Sequence, residues 1–290
     1  MIHWLPLISI IITFFILLKD KSSVVSQRLS QTIKRVIKGS IDVSIRNNDI
    51  LLTDTFTSYN KVLVDFLIYI SALILGMPTL PTGPRELSKS HLQVFNLDLL
   101  LANFPSFLRL KQCLKEYNQS NRQNIAHLLN AIKYSTAFFP TFAMILFKNG
   151  VFKTLGCWYF FTFVNSAYSL YWDITNDWNF GFFLKFLSNK PNIKILRNKL
   201  LYAKTAYIVA ILIDTQLRFI WIYRLFYVGD AVSESSTAKF FIMLFTTEKG
   251  NFILEILEIF RRWVWVFLKV ETEYIKMSSE SNVIELQNFD

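Results

Sequence analysis

Charge is scarce in this sequence of 290 residues: Asp, Glu, Lys and Arg make up 18% of it, where a soluble globular chain carries roughly 25%. Cysteine is scarcer. Cys113 and Cys157 are too few and too far apart for a disulfide framework. The three histidines (His3, His91 and His127) are scattered, and neither a CxxC nor an HExxH spacing occurs. The sequence therefore implies neither a metal site nor a cofactor. What the chain has in excess is apolar surface. Hydrophobic residues reach 52% and aromatics 16%, with 28 Phe, 12 Tyr and 7 Trp, and the mean hydropathy is +0.33. A core of this size cannot hide so much aromatic surface, and the same figures exclude disorder, collagen and coiled coil. An all-α, polytopic membrane helical bundle remains. In such a protein the net charge of +10 reads as a basic cytosolic face rather than a nucleic-acid footprint.

A helix needs about 20 mostly apolar residues to cross a bilayer. Seven candidate spans emerge: 4–18, 59–77, 93–110, 129–147, 154–172, 201–226 and 250–268. The first is short, and Lys19-Asp20-Lys21 ends it. Without a basic n-region or a small-residue cleavage site it reads as an uncleaved anchor, a signal peptide being the alternative. Phe240–Phe245 is too short to span and reads as an interfacial or re-entrant piece. Lys and Arg in alternate loops total 17 on one side and 6 on the other. That bias puts the N-terminus in the lumen and the C-terminus in the cytosol. The single sequon, Asn118-Gln119-Ser120, then faces the cytosol and should stay unglycosylated. Pro78, Pro81, Gly83 and Pro84 mark a tight lumenal turn. Three segments result: a membrane anchor with a basic, amphipathic cytosolic linker (1–48), a transmembrane domain (49–276) and a flexible cytosolic tail (277–290).

Ionisable residues inside such spans each cost roughly 2.5–3.5 kcal/mol at mid-bilayer on insertion scales, so they should face partners or water. Asp54, Thr57, Ser58, Lys61 and Asp65 recur at helical spacing and make one polar stripe. Asn165, Ser169, Asp173 and Asp177 make another. Asp214 and Arg218 sit one turn apart, followed by Trp221 on the same face. Glu255, Glu258, Arg261 and Arg262 lie within two turns, and Glu258 can pair with Arg262 at i+4. Bland readings stand beside these: Asp173 and Asp177 as a solvated helix end, and Arg261, Arg262, Arg218 and Lys133 snorkelling to headgroups. Taken together, the stripes suit a hydrophilic path. Guanidinium forks match phosphate or carboxylate oxygens, and nearby carboxylates keep binding weak enough for release.

Six segments in order carry a more specific likeness. They are Thr53-Asp54-Thr55-Phe56-Thr57-Ser58 with Asp65; Phe104-Pro105-Ser106-Phe107-Leu108-Arg109 with Gln112-Cys113-Leu114; and His127–Thr136. The others are Tyr171-Trp172-Asp173 with Asp177-Trp178; Leu217-Arg218-Phe219 with Trp221; and Leu257–Trp265 running to Glu271 and Glu273. Over roughly 49–276 the sequence resembles the EXS-domain family, the membrane module of eukaryotic phosphate exporters. The larger members carry an N-terminal SPX domain, and this chain looks like the SPX-less fungal branch. That resemblance implies a Golgi membrane protein returning inorganic phosphate, left over from glycosylation, from lumen to cytosol. It also implies a link to glycosyltransferase recycling and ER protein retention. It assigns the phosphate path to Asp54, Thr57, Lys133, Tyr134, Asp173, Asp177, Arg218, Trp221, Glu258, Arg261 and Arg262. Arg218, Arg261, Arg262 and Lys133 would coordinate phosphate, Tyr134 would donate a hydroxyl and Trp221 would wall or gate the path. Asp54, Asp173, Asp177 and Glu258 would orient the basic groups.

The alternative is a non-transporting adaptor or retrieval factor for Golgi enzymes, docking through 19–48 and the tail. An enzyme is disfavoured, because no nucleophile–base pair or nucleotide loop accompanies the carboxylates. Expected partners are inorganic phosphate, membrane lipids and the glycosyltransferase-recycling machinery. The lipid-facing aromatic surface leaves a homodimer open, and no nucleic acid is expected.

Overall fold

The computed structural model describes residues 2–19, 24–42, 45–74, 76, 97–187, 194–227 and 236–287. Its described elements are helices throughout. By contacts the chain divides into two compact units, Met1–Phe161 and Thr162–Asp290.

The first unit holds α1 (Leu5–Lys19), α2 (Val24–Ile37), α3 (Arg46–Thr57), α4 (Asn60–Ile74), α5 (Leu97–Ala102), α6 (Phe104–Gln119), α7 (Ile125–Thr136) and α8 (Phe138–Lys148). Helix α9 (Gly156–Trp172) carries the boundary. Local chemistry explains several ends. Gly39 takes φ +60 after α2, its N–H bonds Val36 O, and Ser40 N bonds Arg35 O. Those paired bonds close the helix as a Schellman cap. A side chain on Gly39 would also strike Lys111, whose Nζ donates to Lys38 O at 2.9 Å. Pro105 sits in the first turn of α6, where its missing N–H costs nothing. Asn124 caps α7 by accepting from Ala126 N at 3.1 Å.

The second unit continues α9 into a π-helical turn, Asp173–Asp177. It adds α10 (Phe182–Leu187), α11 (Lys204–Arg218), α12 (Ile222–Tyr227), α13 (Ser236–Thr246) and the long α14 (Glu248–Gln287). No Gly or Pro lies between Asn251 and Gln287, so nothing in the sequence breaks α14. It stays helical to Gln287, through most of the segment whose composition marks it as a flexible tail. Phe240–Phe245 belongs to α13, which folds back along α14 across Thr247. Phe241 stacks on Tyr223 of α12 with ring centroids 4.5 Å apart. The hairpin is tight at Gly250, where an added Cβ would lie 2.4 Å from the carbonyl oxygens of Met243 and Leu244. Only glycine lets the two backbones approach so closely.

The distribution of polarity is inverted. No residue of α1 is buried, and Phe160, Leu212, Phe252 and Trp263 are more than half exposed. Asp49, Asp54, Arg109, Lys133, Asp173, Asp214, Arg261 and Glu271 are buried. Water favours the opposite arrangement; a hydrocarbon surround favours this one.

Several of the spans expected from hydropathy fall on broken helices rather than on single rods. Among the described residues, Lys204–Leu225 is the one helical stretch long and apolar enough to cross a bilayer unaided. Helix α1 is apolar but 15 residues long, about 22 Å at 1.5 Å per residue. Helices α3 and α4 pass the same test together but are bent by 64°. That bend corrects one expectation: Asp54 lies on α3 while Lys61 and Asp65 lie on α4, so they do not form one continuous stripe. Span 93–110 breaks at Asn103, and 129–147 breaks at Ala137. The Pro78–Pro84 turn lies outside the described residues.

Candidate functional site

In the first unit, α3, α6 and α7 bring polar side chains together in the interior. Tyr134 donates its hydroxyl to Asp54 Oδ1 at 2.5 Å. Arg109 Nε lies 2.6 Å from the same oxygen, a charge contact off the hydrogen-bond line. The Arg109 guanidinium sits 5.1 Å from the Tyr134 ring centre, and Lys133 Nζ 5.4 Å from it. The Thr57 hydroxyl donates to Asp54 O at 2.6 Å. Arg109 Nη1 donates to Gln112 Oε1 at 2.9 Å, and Gln112 Nε2 to Thr53 Oγ1 at 3.1 Å. A second tier fixes the helices beneath: Arg46 bonds Glu116, and Arg35 grips Asp49 through Nε and Nη2 at 3.0 Å each.

In the second unit the central cluster joins α11, α14 and the π-turn. Arg218 Nη2 donates to Asp173 Oδ2 and, at 3.3 Å, to Asp214 Oδ1. Arg261 Nη1 donates to that same Asp214 oxygen at 2.8 Å. Its Nε and Nη2 reach the two Glu258 oxygens at 2.9 and 2.5 Å. Two guanidiniums thus converge on one carboxylate oxygen. Asp214 Oδ2 and Arg218 Nε are buried and have no hydrogen-bond partner among the described residues, which leaves an acceptor and a donor for an incoming group.

The π-turn sets the neighbouring pairings. Widening the helix to an i+5 bond, Trp178 N to Asp173 O at 2.9 Å, turns Asp173 toward Arg218. Asp177 pairs one turn further on, accepting from Lys269 Nζ at 3.0 Å. Lysine 269 lies just past the apolar part of α14. Burial alone would depress its ammonium, but Asp177 and Glu273 beside it hold it above the usual lysine range. Burial likewise pushes Glu273 up, yet Lys269 and Lys276 keep its carboxyl below the usual carboxylate range. Such turns are uncommon and frequent at functional sites.

The structure therefore brings Arg218, Arg261, Asp173 and Glu258 together, and separately Lys133, Tyr134 and Asp54. Arg262 lies over the Trp265 ring at 4.8 Å, and Trp221 Nε1 donates to Ser166 Oγ at 3.2 Å. Glu258 meets Arg261 at i+3, one residue before the Arg262 with which the i+4 spacing would pair it.

Several buried residues escaped the sequence reading. Arg109 looked like the edge of a span, although Arg109, Gln112, Cys113 and Glu116 share one helical face. Lys269 stands four residues beyond Trp265 and eight beyond Arg261, a repeat that could have flagged it. Arg197 gave no signal, since its partner Glu271 is 74 positions away (271 − 197).

The profile of the EXS family matches residues 1–275, nearly the whole chain. The chain belongs to the EXS family. This match takes in the first 48 residues, which the residue-level likeness left out, and with the relatives below it makes the chain a membrane protein. Among EXS relatives, Protein ERD1 of Kluyveromyces lactis is 35% identical over 243 residues, covering 79% of this chain and 59% of that protein. Protein ERD1 homolog 1 of Schizosaccharomyces pombe is 30% identical over 257 residues, covering 86% and 64%. Solute carrier family 53 member 1 of Mus musculus is 34% identical over 218 residues, covering 71% of this chain and 28% of that protein. The chain spans less than two thirds of each of these three proteins.

Proposed function

We propose that this EXS-family protein carries inorganic phosphate across a Golgi membrane, from lumen to cytosol. Returning the by-product of glycosylation would support glycosyltransferase recycling and ER protein retention. The observation that carries this reading is the convergence of Arg218 and Arg261 on Asp214 Oδ1 inside a unit whose outer surface is apolar. In the resting cluster Asp214 fills the place of an oxyanion oxygen between two forked donors. A phosphate oxygen arriving there meets donors already aimed. Asp173 shares the Arg218 Nη2 donor with Asp214, and Glu258 holds the two other nitrogens of Arg261, which limits affinity and favours release. The role of the mouse relative, named as a solute carrier, agrees with transport.

The remaining assignments follow the same logic. Arg262, with Lys133 and Tyr134 in the first unit, supplies further donors; Asp54 and Asp177 orient basic groups; Thr57 lines the path and Trp221 walls it. About seven spans, a lumenal N-terminus and a cytosolic C-terminus are proposed with it, over an anchor (1–48), an EXS domain (49–276) and a tail (277–290).

Radiolabelled phosphate flux into liposomes containing the purified chain, with and without a pH gradient, tests the function. Wild type should conduct and Arg218→Ala should fall to background while still inserting. Wild-type flux from Arg218→Ala would reject the site. Orientation has its own check. Asn118 should show no glycan on a mobility assay with and without glycosidase, and a glycosidase-sensitive shift lost in Asn118→Gln would invert the topology.

A further inference from the structure

The central cluster of the second unit sets carboxylates against both of its converging guanidiniums. A cavity of about 600 Å³ in the same unit does not share that balance. It is lined by Asn179, Lys194, Arg197, Asn198, Lys199 and Ile275, and no carboxylate lines it among the described residues. Arg197 is committed elsewhere. Its Nη2 lies 2.5 Å from Glu271 Oε2, its Nη1 donates to Trp178 O and Thr272 Oγ1, and its Nε donates to Lys199 O at 3.2 Å. Lys194 Nζ donates to an uncharged partner, Asn198 Oδ1, at 2.9 Å. Both lysines are exposed, and the Lys199 ammonium has no partner among the described residues.

Two lysines lining one concavity, with no countercharge lining it among the described residues, raise the local potential and draw in anions. The amides of Asn179 and Asn198 add polar contacts. The volume exceeds what one phosphate ion fills and falls within the range of about 300–1,000 Å³ typical of small-molecule sites. The floor of the cavity is also tied to the cluster. Arg197 holds the Trp178 carbonyl, and Trp178 N donates to Asp173 O at 2.9 Å, so the loop beside the cavity is continuous with the turn presenting Asp173 to Arg218.

We propose that this cavity is a second anion site, separate from the Arg218–Arg261 cluster, which takes a soluble small molecule carrying two or more phosphate groups. Pyrophosphate is the probe and inorganic phosphate its comparator, each titrated calorimetrically into the full chain in neutral phosphatidylcholine nanodiscs, where no anionic headgroup competes. Wild type should bind pyrophosphate more tightly than phosphate. Lys194→Gln/Lys199→Gln should lose about tenfold or more in pyrophosphate affinity, as expected from two missing charge-assisted contacts, with unchanged thermal unfolding. Arg218→Lys should bind pyrophosphate as wild type does. The site is rejected by undiminished binding in the lysine double variant, by loss in Arg218→Lys, or by no preference over phosphate. Pyrophosphate binding in a wild-type protein that shows no phosphate flux would reject the transport reading alone.

Discussion

Arg261→Lys should cut phosphate flux in proteoliposomes by about 100-fold while leaving a folded, inserted protein. Lysine keeps the charge, but one ammonium cannot hold Asp214 from one side and both Glu258 oxygens from the other, as the Arg261 fork does. Losing one bidentate arm and the planar geometry removes roughly 3 kcal/mol of directed hydrogen bonding, and each 1.4 kcal/mol is tenfold. Arg261→Ala is the harsher change. It leaves Asp214 and Asp173 buried beside Arg218 alone, and breaking a buried pair on one side costs about 3–5 kcal/mol. The two variants therefore separate function from folding. Arg261→Ala/Asp214→Ala should recover part of the lost stability, since the stranded charge goes too, yet recover no flux. Near wild-type flux in Arg261→Lys would mean that charge alone suffices and that the fork geometry is incidental.

Arg197→Ala should lower the unfolding temperature of the detergent-solubilised protein by about 10 °C. Three hydrogen bonds and one ion pair of a single guanidinium pin three pieces of chain: the loop after the π-turn through Trp178 O, the 194–203 connection through Lys199 O, and α14 through Thr272 and Glu271. Glu271 is 3% exposed, so removing Arg197 strands its charge at a cost of about 3–5 kcal/mol. At roughly 2–4 °C per kcal/mol for a unit of this size, the shift is large. Tyr207, which donates to Glu271 Oε1 at 2.5 Å, cannot replace a countercharge. Arg197→Lys should sit between, because lysine neutralises Glu271 but cannot span the other acceptors. A thermal midpoint for Arg197→Ala within 2 °C of wild type, well under the roughly 2–4 °C that 1 kcal/mol produces, would show that the pin carries no load.

Helical class and the polar sites were legible because both rest on local pattern. Apolar runs of helical length survive any tertiary rearrangement, and an ionisable group among them has to find a partner. Arg218, Arg261, Asp173 and Glu258 were visible on that ground. What escaped depended on where helices break and who lies opposite. Nothing in Thr57-Ser58-Tyr59-Asn60 forbids a continuous helix, so the 64° bend between α3 and α4 was not readable. Arg109 sits at a helical position that serves equally for snorkelling or for burial. Only the approach of Asp54 and Tyr134 from two other helices decides between them. Lys269 and Arg197 find their partners across distant segments, which a single sequence does not record.

The π-turn at Asp173–Asp177 makes chain length itself a functional variable. Its five residues complete a turn that an α-helix would close with fewer, so Asp173 and Asp177 point to different arginine and lysine partners only while the extra residue is present. Thr175 and Asn176, which lie at least partly exposed within it, should tolerate exchange of identity. Losing either one would let the segment relax to an α-helix and rotate Asp177 away from Lys269. In this stretch counting residues matters more than choosing them.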